Sequence, residues 1–272
     1  MNKVNSYQEI VSKISEIRNY KKKYITNFYL DEARCNFLFE ENCLFSALIG
    51  ETYFIFQIDD NFYHLYYCSS DNESLKSDIK SFIDQYHENK IIMVDIIGNE
   101  EQIVPVKTNF MESGFTSYQL LNRMSKVTIP DDIVELEDKN IISATNKDIV
   151  VVKNYLDEFF DKYSEQIPTL KELQIWTKED SILVYKKNNV ILGFIIFEIK
   201  GVTSYLRYWF VHPEYRENKI GAKLLKEYFL KSKNTKRQLF WVITSNENAI
   251  KRYVHYGFLP EKIYDEILMY KK

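Results

Sequence analysis

In the stretch YRENKIGAKLL, residues 215–225, two cationic side chains precede two small residues, and an amphipathic run follows. Arg216 and Lys219 supply positive charge, while Gly221 and Ala222 leave space for an anion near the backbone. A helix N-terminus presents free N–H groups and the positive end of the helix dipole, so it suits an anion. The spacing therefore predicts a phosphate-binding turn. An ordinary helix start with charged surface residues is the alternative that this stretch alone leaves open.

Alternating strand and helix patterns surround this stretch from residue 140 onward. The C-terminal half is predicted to contain strands at 141–144, 181–187, 190–200, 203–211, 238–244 and 258–270. Its predicted helices are 145–160, one that begins within the stretch 215–225 and runs to about 233, and 247–256. The turn Asn188-Asn189 separates two of the strands, and Gly257 ends the last helix. The predicted phosphate-binding turn thus follows a strand and opens a helix.

The N-terminal half shows a similar order of patterns. It is predicted to contain a helix from Ser6 through Ile17, a hairpin of strands 52–59 and 62–68, a helix from 73 to about 87, a strand at 91–97, a helix at 101–113 and a strand at 115–127. Capping boxes of the form Ser-x-x-Glu mark the first two helices, at Ser6 and Ser70. Both halves end with a helix, a Gly-Phe pair and a strand, and Phe110 aligns with Tyr253. This order favours a duplication.

Two motifs in the C-terminal half resemble those of the GNAT superfamily of acetyl-coenzyme-A-dependent N-acyltransferases. The family's strand end V-x-P-x-[YF]-[RQ] and pyrophosphate loop [QR]-x-x-G-x-[GA] are matched by Val211, Pro213, Tyr215, Arg216, Ile220 and Gly221. Its motif N-x-x-A-[IV]-x-x-Y-x-x-x-G-F is matched by Asn246, Ala249, Ile250, Tyr253, Gly257 and Phe258. The resemblance covers about residues 140–272 and extends to the first half only through the repeat.

The resemblance implies direct transfer of an acetyl group from acetyl-coenzyme A to an amine. It implies that the strand ending at Phe210 and Val211 splays from its neighbour and offers backbone groups to the pantetheine arm. The residues expected to hold the coenzyme are Phe210, Val211, Arg216, Asn218, Lys219, Ile220, Gly221, Ala222, Asn246 and Tyr253. Tyr253 is expected to protonate the departing thiolate as a general acid. The strand 203–211 contains no acid, so Glu198 on the preceding strand is the candidate base.

Two departures from the family pattern bear on function. Lys219 stands where the family's loop has its first glycine, and we expect weaker loop geometry with phosphate binding retained by the ammonium group. The N-terminal half has neither Arg nor Gly between Cys68 and Glu73, and the phenyl ring of Phe110 has no proton to give. The first half is therefore predicted to be a degenerate copy that binds no coenzyme A and helps to shape the acceptor site or a partner surface.

Composition limits the class of protein. The chain has 272 residues, 45% of them hydrophobic and 28% charged, which suffices for more than one packed core. A net charge of −3 lacks the basic footprint of nucleic-acid binding. The three cysteines include no Cys-x-x-Cys pair, and the four histidines have no metal-ligand spacing, so we expect no metal. No apolar run reaches the length of a membrane span, and we expect a cytoplasmic location.

We therefore expect an α/β fold of two tandem GNAT-like halves, each a mixed, mainly antiparallel sheet flanked by helices, with splayed central strands in the C-terminal half. The predicted domains are a degenerate one at 1–127, a linker at 128–139 and an acetyltransferase domain at 140–272. The predicted partner is a small-molecule or peptide amine, and the predicted state is a monomer or homodimer. A coenzyme-A or metabolite sensor, favoured by Lys219, and an interaction protein, favoured by the aromatic content, remain alternatives.

Overall fold

The computed structural model describes residues 2–20, 24–59, 62–86, 90–129 and 138–272, so most of the predicted linker lies outside the described residues. The chain forms two compact units. Unit 1 contains Met1–Asn122 and Lys262–Lys272, and unit 2 contains Arg123–Glu261. Each unit has its own hydrophobic cores on the two faces of a β-sheet.

The two units exchange the ends of their last strands. Strand β7, Thr116–Val127, closes the N-terminal half, and its residues from 123 onward belong to unit 2. Strand β13, Leu259–Tyr270, closes the C-terminal half, and its residues from 262 onward belong to unit 1. Each predicted domain, 1–127 and 140–272, is one continuous segment, so the prediction does not include this exchange of strand ends. Pairing between strands distant in sequence sets the division, and hydrophobic patterns do not reveal it.

Unit 1 places a mainly antiparallel sheet between two pairs of helices. Its helices are α1 (Tyr7–Tyr20), α2 (Glu32–Glu40), α3 (Asn72–Tyr86) and α4 (Glu100–Glu112), and its other strands are β1 (Asn2–Lys3), β2 (Ile25–Thr26), β3 (Leu44–Ile49), β4 (Thr52–Ile58), β5 (Phe62–Ser69) and β6 (Ile91–Gly98). The strand order is β1-β3-β4-β5-β6-β13, and β5 and β6 are parallel. Helix α3 buries Leu75, Ile79 and Phe82 at helical spacing on one face, each stabilising the fold by about 1.5–3 kcal/mol.

Unit 2 has the same layout. Its helices are α5 (Ile149–Phe159), α6 (Leu170–Lys178), α7 (Ile220–Lys231) and α8 (Glu247–His255), and its other strands are β8 (Ile141–Ser143), β9 (Ile182–Lys187), β10 (Val190–Lys200), β11 (Thr203–Val211) and β12 (Arg237–Ile243). The strand order is β12-β11-β10-β9-β8, and β11 and β12 are parallel. Helices α5 and α6 pack on one face, and α7 packs on the other.

The parallel strands of both units pair only at their beginnings. In unit 1 the pairing of β5 with β6 ends at Leu65 and Val94. In unit 2 the pairing of β11 with β12 ends at Tyr205 and Leu239. Beyond these residues the strands separate, and we call each gap a splay. The splayed strands predicted for the C-terminal half are confirmed, and the N-terminal half has a splay as well.

Helices α2 and α6, strand β3 and the two-residue strands β1 and β2 are absent from the sequence-based predictions. Helix α2 buries only Cys35 and Leu38, and α6 buries only Glu172 and Leu173, so neither has the repeated apolar spacing that predicts a helix. The predicted strands and the other helices are found within a few residues of their expected bounds.

Two helix starts differ from their predicted caps. Asp71 caps α3, because its Oδ1 accepts the N–H of Ser74 at 2.9 Å, while the Ser70 hydroxyl donates to Glu51. Helix α5 begins at Ile149, because the N–H and hydroxyl of Thr145 both donate to Asp148 Oδ2 at 2.8 Å and form a turn first. In both cases a nearby aspartate forms the cap or the turn, so the helix begins at a different residue while its apolar face stays the same.

A row of ionisable side chains is buried in the sheet of unit 1. His64 Nε2 lies 3.0 Å from Asp95 Oδ2, and the Tyr29 hydroxyl donates to the same oxygen at 3.0 Å. Asp265 lies two residues from Ile267, which pairs with Asp95, and its side chain is buried. Burial raises the pKa of Asp265 well above its ordinary value, and the carboxylates of Asp95 and Glu266 raise it further. The folded unit therefore holds a proton that the unfolded chain releases.

This raised pKa sets the sign of a pH dependence. The stability that protonated Asp265 contributes is complete below the unfolded pKa, near 3.9, and is lost as pH rises through the folded value. We expect Asp265→Asn to remove this loss, so that the variant exceeds the wild type in stability at neutral pH. Urea unfolding from pH 4 to 8 measures it. Asp84→Asn, at an exposed position of α3, is the control. Parallel pH profiles for wild type and Asp265→Asn would contradict this prediction.

Candidate active site

The splay of unit 2 exposes one edge of β11. Residues 206–211 pair with β10 on one side, and on the other side β12 has already separated from them. Phe210 is buried against Tyr155 and Phe194, whereas Val211 packs with the core beneath α7. The backbone groups along the open edge are available to an extended ligand, because main-chain N–H and C=O groups require partners.

A β-bulge lies at the start of this edge. Ile196 of β10 pairs with Tyr208 and Phe197 pairs with Leu206, so Arg207 has no partner in the register. The bulge places Leu206 with the core beneath α7 and Tyr208 with the core beneath α5. In unit 1, β4 and β5 pair without such an interruption. Bulges bend a strand and redirect its side chains, which suits an opening between strands.

The loop after β11 has the form expected of a phosphate-binding turn. A 3₁₀ helix, Pro213–Asn218, leads to Lys219, which adopts a left-handed backbone with φ 58° and ψ 17°. That conformation costs a residue with a Cβ about 1–2 kcal/mol, and glycine adopts it freely. Lys219 therefore has the backbone shape that glycine favours at this position, and the weaker loop geometry stays a prediction. The lysine retains the shape at the cost of strain.

The N-terminus of α7 is open. The N-cap residue Lys219 makes no side-chain cap bond, and within the described residues no side chain is seen to accept from the first N–H groups, those of Ile220, Gly221 and Ala222. The side chains of Lys219 and Asn218 are exposed, whereas that of Ile220 is buried. Only the backbone of Ile220 can therefore face a ligand.

Arg216 lies beside this turn. Its Nε donates to the carbonyl oxygen of Val211 at 3.5 Å, which directs the side chain toward the end of β11. Its side chain is exposed, so the guanidinium group is accessible to an anion. The structure thus brings Arg216, Lys219 and the open helix end together, as the sequence predicts.

Gly221 has a packing role that the sequence does not reveal. A Cβ at Gly221 would lie 3.2 Å from Cζ2 and 3.3 Å from Nε1 of Trp209. The Nε1 atom of Trp209 is buried and has no hydrogen-bond acceptor among the described residues. The glycine therefore makes room for the indole ring, and the indole N–H lies ready to donate beneath the first turn of α7.

Tyr253 lies on α8 in contact with the splayed strands. Its ring centroid is 4.1 Å from that of Phe240 on β12 and 5.6 Å from that of Trp209 on β11. Burial raises the pKa of Tyr253 to about 12, and the carboxylate of Glu165 adds to the shift. The phenol therefore keeps its proton at neutral pH, as a general acid must.

Asn246 is the N-cap of α8. Its Oδ1 accepts the N–H of Ala249 at 3.1 Å, so the side-chain oxygen is used within the helix start. The side-chain NH₂ group is the part that can reach a coenzyme. The spacing of Asn246 and Ala249 in the motif thus has a local structural reason.

Glu198 does not have the surroundings of a base. Its Oε2 is bound by the guanidinium group of Arg207, and Lys200 Nζ lies 3.7 Å from its Oε1. Glu198 pairs with Tyr205 in the register, at the closed end of the β11–β12 pair. A carboxylate held by two cations and remote from the open edge is poorly placed to take a proton from an amine.

Glu165 is a carboxyl group that the sequence analysis misses. It lies in the α5–α6 loop, where burial raises its pKa to about 7 against the opposing effect of the Asp161 N–H. The hydroxyl of Tyr208 lies 2.7 and 2.9 Å from the carbonyl oxygens of Glu165 and Gln166 and shares its one proton between them. No sequence motif marks this loop. Pro168 and the acidic Asp161, on either side of Glu165, are its only indications in the sequence.

Unit 1 repeats the aromatic contacts of this site without its chemistry. Tyr67 contacts Phe110 at 5.6 Å between ring centroids, and Phe110 contacts Phe115. Trp209 contacts Tyr253 at the same distance, and Tyr253 contacts Phe258. The aligned residues Phe110 and Tyr253 therefore both contact an aromatic ring of the splayed strand and the aligned Phe115 or Phe258, and Phe110 lacks the hydroxyl.

The splay of unit 1 is filled by the chain itself. Strand β2 pairs with β5 at Ser69 and Cys68, beyond the last residue that β5 shares with β6. Next to β2, the side chain of Asn27 is buried between the separated strands. Its Nδ2 donates to the carbonyl oxygens of Leu65 and Asp95 at 3.1 and 2.9 Å, and its Oδ1 accepts the N–H of Tyr67 at 2.6 Å. A side-chain amide thus bridges the two strands.

The described ranges contain no group of three or more His, Cys, Asp or Glu side chains able to hold a metal ion. Within the same ranges, no helix has the length and hydropathy that a membrane crossing needs.

Residues 150–258, a segment within the C-terminal half, match the acetyltransferase (GNAT) family. The matched segment contains β11, the loop at Lys219, α7, β12 and α8. No protein of curated function matches the chain in sequence.

Solved structures of GNAT proteins share the fold across both halves. A GCN5-related N-acetyltransferase from Sphaerobacter thermophilus superposes with a TM-score of 0.59 at 12% identity, covering 81% of this chain and 76% of its own. One from Kribbella flavida has a TM-score of 0.57 at 11% identity, covering 87% and 92%. A tandem GNAT protein from the clavulanic acid biosynthesis pathway has a TM-score of 0.54 at 10% identity, covering 81% and 78%. The fold of two GNAT-like halves is thereby confirmed.

Proposed function

We propose that the protein is an acetyl-coenzyme-A-dependent N-acetyltransferase that acetylates the primary amine of a small molecule or peptide. The observation that carries the proposal is the open edge of β11, which runs to the uncapped N-terminus of α7. In unit 1 the same gap is filled by β2 and Asn27. Unit 2 thus offers backbone partners for an extended thioester arm and N–H groups for its pyrophosphate.

The residues present suit the coenzyme. The N–H groups of Ile220, Gly221 and Ala222 at the uncapped helix start can donate to a phosphate, and Lys219 and Arg216 add positive charge beside them. The indole N–H of Trp209 lacks an acceptor within the described residues and lies against Gly221, where an oxygen of the bound molecule would satisfy it. When bound, acetyl-coenzyme A supplies the activated acetyl group.

Tyr253 then acts on the leaving group. The protein holds amine and thioester side by side, so much of the rate gain comes from positioning. As the C–N bond forms and the C–S bond breaks, the hydroxyl of Tyr253 gives its proton to the sulfur. The contact of its ring with Trp209 on β11 and Phe240 on β12 fixes the hydroxyl beside the splay.

A two-part experiment tests this function. Calorimetry with acetyl-coenzyme A on the full chain measures binding, and we expect one coenzyme per chain. Thiol release across a panel of primary amines measures transfer. Binding of acetyl-coenzyme A without transfer to any amine would favour a sensor over an enzyme. Absence of binding would leave an interaction protein.

Lys219 offers a matched pair of variants for the coenzyme loop. We expect Lys219→Glu to weaken acetyl-coenzyme-A binding about tenfold, because it exchanges an attractive for a repulsive charge at the helix N-terminus. Lys219→Gly, the control, relieves the left-handed strain and should stabilise the fold by about 1 kcal/mol with a smaller loss of affinity. Calorimetry and thermal unfolding of both variants check this. Equal affinity of Lys219→Glu and wild type would move the phosphate site elsewhere.

A further inference from the structure

The splay of unit 2 lets groups on opposite faces of the sheet act on one molecule. Tyr253 packs in the core beneath α7, on one face of the sheet. Tyr208, whose hydroxyl holds the α5–α6 loop, packs in the core on the other face. A continuous sheet would separate the two sides, but β12 has left β11 before Tyr208. The hydroxyl of Tyr208 lies 2.7 Å from the carbonyl oxygen of Glu165, and Tyr208 comes after the last residue that β11 pairs with β12. The carboxylate of Glu165 also contributes to the raised pKa of Tyr253.

We propose that Glu165 is the base that takes the proton of the attacking amine, and that Tyr208 positions it; this assignment rests on the proposed acetyl transfer. The amine approaches from the α5–α6 face, and the sulfur departs toward α8. Glu165 takes one proton from the nitrogen, and Tyr253 gives one to the sulfur. The proton then returns from Glu165 to Tyr253 through solvent, so acid and base are both regenerated.

The loop geometry supports a positioning role for Tyr208. Gln166 has φ 45°, a left-handed conformation that a residue with a Cβ adopts at a cost. The hydroxyl of Tyr208 accounts for this by binding the carbonyl oxygens of Gln166 and Glu165. The N–H of Asp161 donates to Glu165 Oε2 at 3.1 Å and fixes the carboxyl group within the loop. Strain that is held in place by tertiary contacts is a feature of functional loops.

The protonation state of Glu165 suits the role. Burial and the nearby Asp161 carboxylate raise its pKa to about 7, while the Asp161 N–H opposes the shift. The phenols of Tyr208 and Tyr253 are among the ionisable groups around it, and Arg252 lowers the pKa of Tyr253. A base with a pKa near the working pH combines a large unprotonated fraction with useful basicity.

The pH profile of kcat/KM distinguishes this base from a structural carboxylate. With an amine that the wild type acetylates, we expect a break near pH 7 from Glu165, in addition to the titration of the amine. Glu165→Gln should lower kcat/KM about 10²-fold or more and abolish this break, with unchanged acetyl-coenzyme-A affinity. Glu158→Gln, an exposed acid at the end of α5, is the control and should behave as wild type. A retained break in Glu165→Gln would overturn the assignment.

Tyr208→Phe tests the positioning role. It keeps the ring and removes the two hydrogen bonds to the loop, so we expect about a fivefold loss in kcat/KM and a shift of the break to lower pH as Glu165 gains solvent. A merely structural tyrosine would alter stability and leave the break in place, and that result would overturn the positioning role.

A titration without substrate separates this inference from the proposed function. In protein with ¹³C-labelled tyrosine, Tyr253→Phe identifies the resonance of Tyr253, and Glu165→Gln should lower the pKa of that phenol. If the wild type acetylates no amine, the proposed function and the role of Glu165 as its base are both overturned. If it does, an unchanged Tyr253 pKa in Glu165→Gln overturns the pairing of acid and base alone.

Discussion

Replacing Asn27 with leucine should destabilise unit 1 by about 4 kcal/mol, because it leaves three buried backbone groups without partners at roughly 1–3 kcal/mol each. These are the carbonyl oxygens of Leu65 and Asp95 and the N–H of Tyr67, all of which the side-chain amide satisfies. Leucine has nearly the same size, so loss of hydrogen bonds and not of volume causes the effect. At roughly 2–4 °C per kcal/mol, the melting temperature should fall by on the order of 10 °C.

The chain offers separate signals for the two units. All three tryptophans, Trp176, Trp209 and Trp241, lie in unit 2, so their fluorescence reports on that unit, while circular dichroism reports on both. Thr26→Val is the matched control, because it removes the bond from Thr26 Oγ1 to the carbonyl oxygen of Tyr67 and the bond that Thr26 Oγ1 accepts from the exposed N–H of Phe28, and should cost about 1 kcal/mol. Equal losses in Asn27→Leu and Thr26→Val would contradict the bridging role of the amide.

Asn27 also bears on coenzyme binding. If β2 and Asn27 occupy the place that a thioester arm takes in unit 2, unit 1 binds no coenzyme in the wild type. The loop after β5 adds a second reason, since it lacks the arginine and glycine of the loop after β11. Two coenzymes per chain in calorimetry would contradict both reasons.

The sequence predicts the fold well where hydrophobic spacing is strong. The hairpin at β4 and β5, the strand β6 and the helices α3 and α4 follow directly from alternation and helical periodicity. The exchange of β7 and β13 cannot be predicted this way, because both strands have similar patterns and their partners are decided by packing. The role of Asn27 cannot be predicted from the sequence either, because a single polar residue in a loop does not indicate three buried hydrogen bonds.

The candidate site divides in the same manner. The positions of Arg216, Lys219 and Gly221 follow from contiguous motifs, because consecutive residues must shape one turn. The surroundings of Glu165 arise from a loop, a strand and a helix that are distant in sequence. Glu198 looked suitable because it is an acid on a neighbouring strand, but its ion pair with Arg207 depends on the bulge and the register.

Tyr253→Phe is expected to lower turnover by about 10²-fold, the lower end of the range for general acids. The thiol has a pKa near 8.5, whereas burial raises that of Tyr253 to about 12. The phenol is therefore always protonated but gives its proton to a weaker base, which limits the gain. Phenylalanine keeps the ring contacts with Phe240 and Trp209, so acetyl-coenzyme-A affinity and stability should remain nearly unchanged.

The measurement is turnover of a confirmed amine substrate, with coenzyme affinity from calorimetry. Tyr256→Phe is the matched control, because Tyr256 also contacts Trp209 from α8, at 6.1 Å between ring centroids, yet lies outside the aligned motif position. Loss of turnover in Tyr253→Phe but not in Tyr256→Phe assigns the effect to one hydroxyl. The natural Phe110 at the equivalent place in unit 1 keeps its ring contacts with Tyr67 and Phe115, so packing alone does not require the hydroxyl. Wild-type turnover in Tyr253→Phe would limit that tyrosine to packing and leave the thiolate to be protonated by water.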